Sequence, residues 1–147
     1  MTGQTTPTTD VLVQLAFAVT ARLDAHARIR DLSLQQVRLL GILRDREPTI
    51  NELAGHLGID KSSMSGLVDR AERRGLVSRI RDGGDRRSVR VRLEPSGRLL
   101  VDDAAGAVEA DLHGLLTVLT GDEQDCWEGL SVRLLAADTA ERGAPLG

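Results

Sequence analysis

The segment from residue 49 to residue 75 restricts the fold more than any other part of the sequence. Thr49 followed three positions later by Glu52 is a capping box, which marks the first turn of a helix. Gly58 stands where this helix must turn, because glycine adopts a positive φ without steric cost. The apolar positions have the spacing of two short helices that cross over one core: Leu53, Ala54, Leu57, Ile59, Met64 and Leu67. The segment is therefore predicted to form a helix-turn-helix whose second helix ends at Gly75.

Two further helices are predicted before this segment. A stripe of apolar residues indicates a first helix that Thr9 or Asp10 caps and that ends before Asp31. Ser33 and Gln36 form another capping box, which opens the second helix. The helix-turn-helix therefore comprises the third and fourth helices of the chain.

Beyond the fourth helix, the spacing of apolar residues changes from that of a helix to that of a strand. Apolar and polar residues alternate over 89–93, and the turn-forming run DGGD at 82–85 precedes them. These features predict a β-hairpin over 77–93. Pro95 then opens a long helix, and a capping box that starts at Thr120 opens the last one. The predicted fold is mainly α with a small β-wing, a winged helix-turn-helix flanked by terminal helices.

Charge is distributed unevenly along the chain. The formal net charge is −3, the wrong sign for a protein that binds nucleic acid, yet residues 60–98 contain 11 basic and 6 acidic side chains. Residues 1–59 contain 6 of each, and residues 99–147 contain 2 basic and 10 acidic side chains. Counterion release from DNA depends on where the cations lie rather than on the total charge. The basic middle segment is therefore a candidate DNA-binding surface, although a solvated charged surface has the same composition.

The fourth helix has a polar side that suits entry into the major groove. Short side chains near its first turn let the backbone approach base edges, and longer cations further on reach phosphates or guanine. An amphipathic helix with one solvated side is the alternative interpretation. The candidate DNA-binding residues on this helix are Lys61, Ser62, Ser63, Ser65, Gly66, Arg70 and Arg73.

The predicted hairpin is rich in arginine, which is favoured in narrow, A·T-rich minor grooves. Its arginines are Arg79, Arg81, Arg86, Arg87, Arg90 and Arg92. Asp85 precedes Arg87 by two positions and can orient that guanidinium through a charge-assisted hydrogen bond, although it could also be a simple loop acid. The candidate DNA-binding residues of the wing are Asp85, Arg86, Arg87 and Arg90.

The run from Leu32 to Leu99 resembles the MarR family of winged helix-turn-helix regulators. The resemblance lies in LSLQQVRLLGILRD, in TINELAGHLGIDKSSMSGLVDRAERRGLVSRI and in the wing GDRRSVRVRLEPSGR. The wing signature of the family, an Asp, one residue, then an Arg followed by a small residue, is matched by Asp85, Arg87 and Ser88. The resemblance implies a transcription repressor that binds a palindromic operator in double-stranded DNA as a homodimer.

The resemblance also implies a division of the chain into three segments. Residues 31–95 would form the DNA-binding domain, and residues 1–30 and 96–147 would form a dimerisation lobe with those of a partner chain. The apolar stripes of the terminal helices exceed what a small monomer leaves exposed. The candidate dimerisation residues are Leu15, Val19, Leu115, Leu119, Trp127, Leu130 and Leu134.

Release from DNA by a small aromatic or acidic effector is a further implication of the resemblance. Similar proteins bind such ligands in a cleft between the dimerisation lobe and the winged helix. His26, Arg30 and Arg38 lie in the first two helices or at their ends, where such a cleft would be, although each could equally be an exposed surface residue.

Other classes of function fit the sequence less well. No glycine-rich phosphate loop or nucleophile elbow is present, and His26, His56 and His113 lie in separate helices, which argues against an enzyme and against a metal centre. No cofactor is expected. A metal-responsive or redox-responsive regulator of the same fold, and a winged-helix module that binds protein, remain as alternatives.

Cys126 is the single cysteine, so an internal disulfide is excluded. Acidic neighbours and expected burial disfavour the thiolate that oxidation requires, which favours release by a ligand over release by oxidation. The N-terminus resembles no signal peptide, and no apolar run approaches the roughly 20 residues of a membrane span. A cytoplasmic protein without a membrane partner is therefore expected.

Overall fold

The computed structural model describes residues 7–81 and 89–142. Within these ranges, helices dominate and the two strands form one small antiparallel sheet, which confirms the predicted fold class. In chain order the elements are α1 (Thr8–Ile29), α2 (Leu34–Ile42), α3 (Ile50–Leu57), α4 (Lys61–Arg73), β1 (Val77–Arg81), β2 (Val89–Leu93), α5 (Pro95–Leu116) and α6 (Gly121–Arg142). Among the described helices, none is both long and apolar enough to cross a membrane.

Capping boxes begin three of the helices, as predicted. In α3, Thr49 Oγ1 accepts a hydrogen bond from Glu52 N while the Glu52 carboxylate accepts one from Thr49 N at 2.7 Å. Ser33 and Gln36 make the same reciprocal pair at the start of α2. Thr120 makes it with its partner three positions later, at the start of α6. Each box satisfies backbone N–H groups that the first turn of a helix leaves without a partner.

The predicted cap of α1 is wrong. The helix begins at Thr8, so neither Thr9 nor Asp10 lies at its N-cap position. Pro7 occupies that position, and its carbonyl oxygen accepts hydrogen bonds from Asp10 N and Val11 N. Because proline fixes its own φ and has no N–H to satisfy, it can start the helix without a side-chain cap.

The core lies where α2, α3 and α4 meet the sheet and the first turns of α5. Leu39, Leu53, Met64, Val68 and Val91 are fully buried in it. Five of the six apolar positions predicted for the helix-turn-helix are buried, and the sixth, Ile59, packs against the same cluster while partly buried.

The sheet places the hairpin beside the helix-turn-helix. β1 and β2 pair antiparallel from Val77 opposite Leu93 to Arg81 opposite Val89. The other edge of β2 contacts the start of α3, because Val91 N donates to the carbonyl oxygen of Pro48 at 2.9 Å. The hairpin is therefore fixed at its base to the helix-turn-helix, and its tip at 82–88 lies outside the described residues.

The start of α5 packs against the beginning of β1 without any gap. Glu94 N donates to the carbonyl oxygen of Leu76 at 2.9 Å, and Ser96 Oγ donates to that of Gly75 at 2.6 Å. Gly97 is buried at this junction. A Cβ atom at this position would lie 2.1 Å from the Leu76 carbonyl oxygen, so only glycine fits.

The last helix makes few contacts with the rest of its own chain, and no residue of α6 that the structure describes is buried.

Two predictions for this end of the chain are wrong. The apolar stripe of α5 does not extend to Leu119, because the helix ends at Leu116 and Leu119 lies in the connection to α6. Cys126 is exposed rather than buried.

Candidate nucleic-acid interface

The turn between α3 and α4 sets the direction of α4. Gly58 ends α3 in the left-handed conformation, with φ 66°, as its position in the sequence predicted. Asp60 then caps α4 by accepting hydrogen bonds from Ser63 N at 2.9 Å and from Ser63 Oγ at 2.6 Å. These hydrogen bonds, the one from the side chain foremost, lower the pKa of Asp60 below its ordinary value. The Ser63 hydroxyl is thus engaged in the cap of the helix.

One face of α4 is buried and the other is open to solvent. Met64, Leu67, Val68 and Ala71 pack into the core. The candidate DNA-binding residues of this helix come together on the opposite side, where Ser65 and Gly66 are partly buried and the others are exposed: Lys61, Ser62, Ser63, Arg70 and Arg73. The open face therefore combines small side chains near the first turn with cations at both ends.

The side chain of Arg79 on β1 is directed toward α4. Its Nη1 lies 2.5 Å from Glu72 Oε2 and its Nη2 lies 2.6 Å from Asp69 Oδ1, both on α4. Its side chain is 25% exposed. Burial alone would lower the pKa of Arg79, but the hydrogen bonds to the two carboxylates outweigh burial and raise that pKa. Sequence analysis missed this contact, because no periodicity relates a strand residue to a helix.

Arg92 on β2 is also held within the protein. Its Nε donates to Glu47 Oε1 at 2.6 Å, and this hydrogen bond lowers the pKa of Glu47. Arg81 and Arg90 are exposed on the two strands. The predicted wing contacts Asp85, Arg86 and Arg87, with Ser88 of the family signature, lie outside the described residues.

A cleft of about 1000 Å³ opens between α1, α2, α3 and α5, and one residue of α6 also lines it. Apolar side chains that include Leu23, Val37 and Val108 line one part of it. The rest of the lining is polar or charged and includes Arg38, Arg44, Asp45, Arg46, His56 and Asp138. The cleft therefore combines an apolar surface with several cations.

Of the three residues predicted to bind an effector, only Arg38 lines this cleft. His26 Nε2 instead lies 3.1 Å from Asp111 Oδ2 on α5, and Arg30 Nη2 lies 2.7 Å from Asp103 Oδ2 on the same helix. Both side chains hold α1 against α5. His26 and Asp111 are 85 positions apart in the sequence, and Arg30 and Asp103 are 73 apart, so no local sequence pattern indicates these pairs.

Arg74 connects the end of α4 to the end of α1. Its Nη1 donates to the carbonyl oxygen of Asp31 at 2.5 Å and its Nη2 donates to that of Arg30 at 3.1 Å. Arg30 in turn binds Asp103 on α5. The helix with the open polar face is therefore linked by hydrogen bonds to the terminal helices.

Two curated relatives are bacterial transcription regulators. The HTH-type transcriptional regulator YfiV of Bacillus subtilis is 30% identical over 114 residues, which are 76% of this chain and 71% of YfiV. The HTH-type transcriptional repressor NicR of Pseudomonas putida is 41% identical over 71 residues, which are 48% of this chain and 44% of NicR.

Solved structures share the fold over nearly the whole chain. Apo MarR from E. coli superimposes with a TM-score of 0.79 at 25% identity, covering 90% of this chain and 99% of MarR. A MepR variant from S. aureus bound to an oligodeoxyribonucleotide superimposes with a TM-score of 0.65 at 21% identity, covering 90% of this chain and 98% of MepR. The family model described as the MarR family matches residues 30–88. The chain thus belongs to the MarR family of transcription regulators, as its winged helix-turn-helix and its relatives both indicate.

Proposed function

We propose that the protein is a transcription repressor that binds a palindromic operator as a homodimer and leaves it when a small organic anion binds. The observation that carries the proposal is the open face of α4, which presents small side chains and cations beside the arginine-rich hairpin. A helix of this kind fits the major groove while the hairpin reaches the neighbouring minor groove. The curated name of NicR as a repressor, and the oligonucleotide bound to the MepR variant, support the same role.

The roles of the individual residues follow from side-chain length. Ser62, Ser65 and Gly66 are short enough to bring the backbone of α4 close to base edges, and Ser63 reinforces the cap of the helix. The longer cations contact phosphates or guanine. These cations are Lys61, Arg70 and Arg73 on α4 and Arg86, Arg87 and Arg90 in the wing, with Asp85 orienting Arg87.

The apolar surface of the terminal helices supports the homodimer. Trp127, Leu130 and Leu134 recur on one side of α6 and are 43%, 50% and 62% exposed in the single chain. Leu15 and Val19 on α1 are only partly buried, as are Leu115 at the end of α5 and Leu119 beyond it. A second copy of this chain would remove these side chains from water. Such burial stabilises an assembly by about 25 cal/mol for each Å² of apolar surface.

The cleft beside α2 supports the effector. Its apolar lining suits an aromatic ring, and Arg38, Arg44 and Arg46 suit a carboxylate. Arg44 is also 3.2 Å from Asp102, so an anion that binds there would compete with this ion pair. His26 and Arg30 contribute by holding α1 against α5 beside the cleft.

Selection of duplexes from a random library, followed by footprinting, tests the proposal. We expect a palindrome whose half-sites are centred about one helical turn apart, because a two-fold symmetric protein requires a two-fold symmetric site. The matched control is the same duplex with five base pairs inserted between the half-sites, which should bind far more weakly. Protection of a single half-site, or equal affinity for random duplex at physiological salt, would contradict the proposal.

A further inference from the structure

The guanidinium of Arg79 spans one ridge of α4. Ser65, Asp69 and Glu72 lie on the same side of the helix because they are four and three positions apart. Besides its ion pairs with both carboxylates, Arg79 places Nη2 at 3.4 Å from the carbonyl oxygen of Ser65, and its backbone N donates to Glu72 Oε1 at 3.2 Å. One strand residue therefore contacts about 10 Å of helix length.

This arrangement fixes the hairpin relative to α4. An arginine fork has a rigid, planar geometry, so two carboxylates that bind it together restrict both the distance and the angle between strand and helix. Ser65 belongs to the open face proposed to meet base edges, and its hydroxyl oxygen lies 3.5 Å from Nη2. The spacing between the wing and the groove-facing side of α4 thus depends on Arg79.

The same ion pairs reduce the negative charge of the acidic side chains on α4. Asp69 and Glu72 are the acidic side chains within the helix, and they are 52% and 39% exposed. Carboxylates on a helix that approaches DNA repel the phosphates unless a cation neutralises them. Arg79 supplies one positive charge from outside the helix, which halves the negative charge of the two carboxylates beside the cations Lys61, Arg70 and Arg73.

We propose that Arg79 is a positioning residue for DNA binding, which holds the wing against α4 and offsets part of the negative charge of the two carboxylates on that helix instead of contacting DNA. The inference rests on the proposed function, because it assigns how the two DNA-binding elements are aligned. It differs from the simpler interpretation of Arg79 as one more wing cation, since both of its terminal nitrogens already bind carboxylates.

Four variants of the full chain separate these two interpretations. Arg79→Met removes the guanidinium and keeps the apolar stem, and Arg79→Lys keeps the charge without the fork. The triple variant Arg79→Met, Asp69→Asn, Glu72→Gln also removes the acids. Arg92→Met is the matched control, because it removes one cation and one ion pair from the same hairpin without touching α4.

The measurements are affinities for the selected operator and for random duplex over a range of salt concentrations, with thermal unfolding of each variant. We expect Arg79→Met to weaken operator binding by about 5- to 100-fold. The triple variant should bind random duplex at least as tightly as wild type, because the formal charge summed over these three positions rises from −1 to 0, while its preference for the operator stays reduced. Arg79→Lys should keep most of the random-duplex affinity and lose part of the preference. Arg92→Met should change the preference far less than Arg79→Met.

Three results would overturn the inference. Unchanged operator affinity and preference in Arg79→Met, at temperatures where all variants are folded, would show that the wing needs no such link. A salt slope lower by about one, with no recovery in the triple variant, would identify Arg79 as a phosphate contact. Wild-type protein without any operator preference would overturn the proposed function and this inference together, whereas the first two results leave the proposed function standing.

Discussion

At residue 97 the fold has room for a hydrogen atom and for nothing larger. We predict that Gly97→Ala lowers the free energy of unfolding by at least about 1–3 kcal/mol, because its Cβ would meet the Leu76 carbonyl oxygen at 2.1 Å. Gly106→Ala on the same helix is the matched control. No atom lies within 4 Å of a Cβ there, so it should stabilise the helix by roughly 0.5–1 kcal/mol. Denaturant unfolding measures both variants, and equal stability of Gly97→Ala and wild type would contradict the packing at this junction.

The carboxylate that caps α3 makes the start of that helix sensitive to acid. Hydrogen bonds from the backbone and side chain of Thr49 lower the pKa of Glu52 below its ordinary value of 4.5. A lowered pKa contributes stability that is present above the unfolded value and is lost as the pH falls through the folded value. Because Glu52 is exposed, the contribution should stay below about 1 kcal/mol.

We therefore predict that Glu52→Gln loses less stability than wild type between pH 7 and pH 3. An amide can cap in the same way without titrating, as Gln36 does at Ser33 in this protein. The free energy of unfolding at the two pH values measures the effect. An identical loss in the variant and in wild type would mean that the Glu52 cap does not contribute to the acid sensitivity.

Roles that depend on neighbouring positions in the chain could be predicted from the sequence. Roles that depend on contacts between positions far apart in the chain could not. The capping pair at Thr49 and the turn at Gly58 depend on groups within a few positions, so the sequence pattern contains all the information they need. Arg74 binds carbonyl groups 43 and 44 positions away, and Gly97 is required by the close approach of the Leu76 carbonyl group, which precedes β1. These roles exist only after the helices have packed.

Among the described elements, α6 is a long helix that makes few contacts with the rest of its own chain. Its start at Gly121 follows the predicted capping box, yet its apolar side chains remain exposed in the single chain. Helices of this length derive most of their stability from packing an apolar face rather than from intrinsic propensity. We therefore expect another surface to cover the apolar side chains of α6.

We predict that Leu130→Glu combined with Leu134→Glu converts the proposed dimer into monomers, because each carboxylate would lose its hydration in an apolar interface. Leu99→Glu is the matched control, since Leu99 is 74% exposed and lies near the start of α5 rather than on α6. Sedimentation over a range of protein concentrations distinguishes the two species. A double variant that stays dimeric would exclude α6 from the interface.

At the scale of the whole molecule, the sequence predicted the winged helix-turn-helix better than it predicted the cleft. The predicted DNA-binding residues of α4 fall on one open face because helical spacing alone determines that face. The cleft is assembled from segments far apart in the chain, and Arg44, Arg46 and His56 join it through the packing of α2 and α3 against α5. Only Arg38 was predicted there.

The proposed release from DNA by a ligand depends on segments far apart in the chain, because these segments together line the cleft. We predict that aromatic carboxylates weaken operator binding and that Arg38→Leu reduces this effect, because the cleft then has one cation fewer. Peroxide should leave operator affinity unchanged, because Cys126 lies on α6, away from the open face of α4, and does not line the cleft. Cys126→Ser is the control. Loss of binding in peroxide-treated wild type, absent from Cys126→Ser and reversed by dithiothreitol, would make the exposed cysteine the sensor.

The uneven distribution of charge along the chain also has a kinetic consequence. Residues 60–98 have a net charge of +5 and residues 99–147 one of −8, so the protein has an electric dipole despite its modest total charge. A polyanion such as DNA exerts a torque on a dipole before the two surfaces touch, which turns the basic segment toward it and the acidic helices away. We expect more encounters to start in the productive orientation at low ionic strength, and fewer once the Debye length falls to about 8 Å. The acidic segment 99–147 thus influences how fast the protein finds DNA, because DNA repels it.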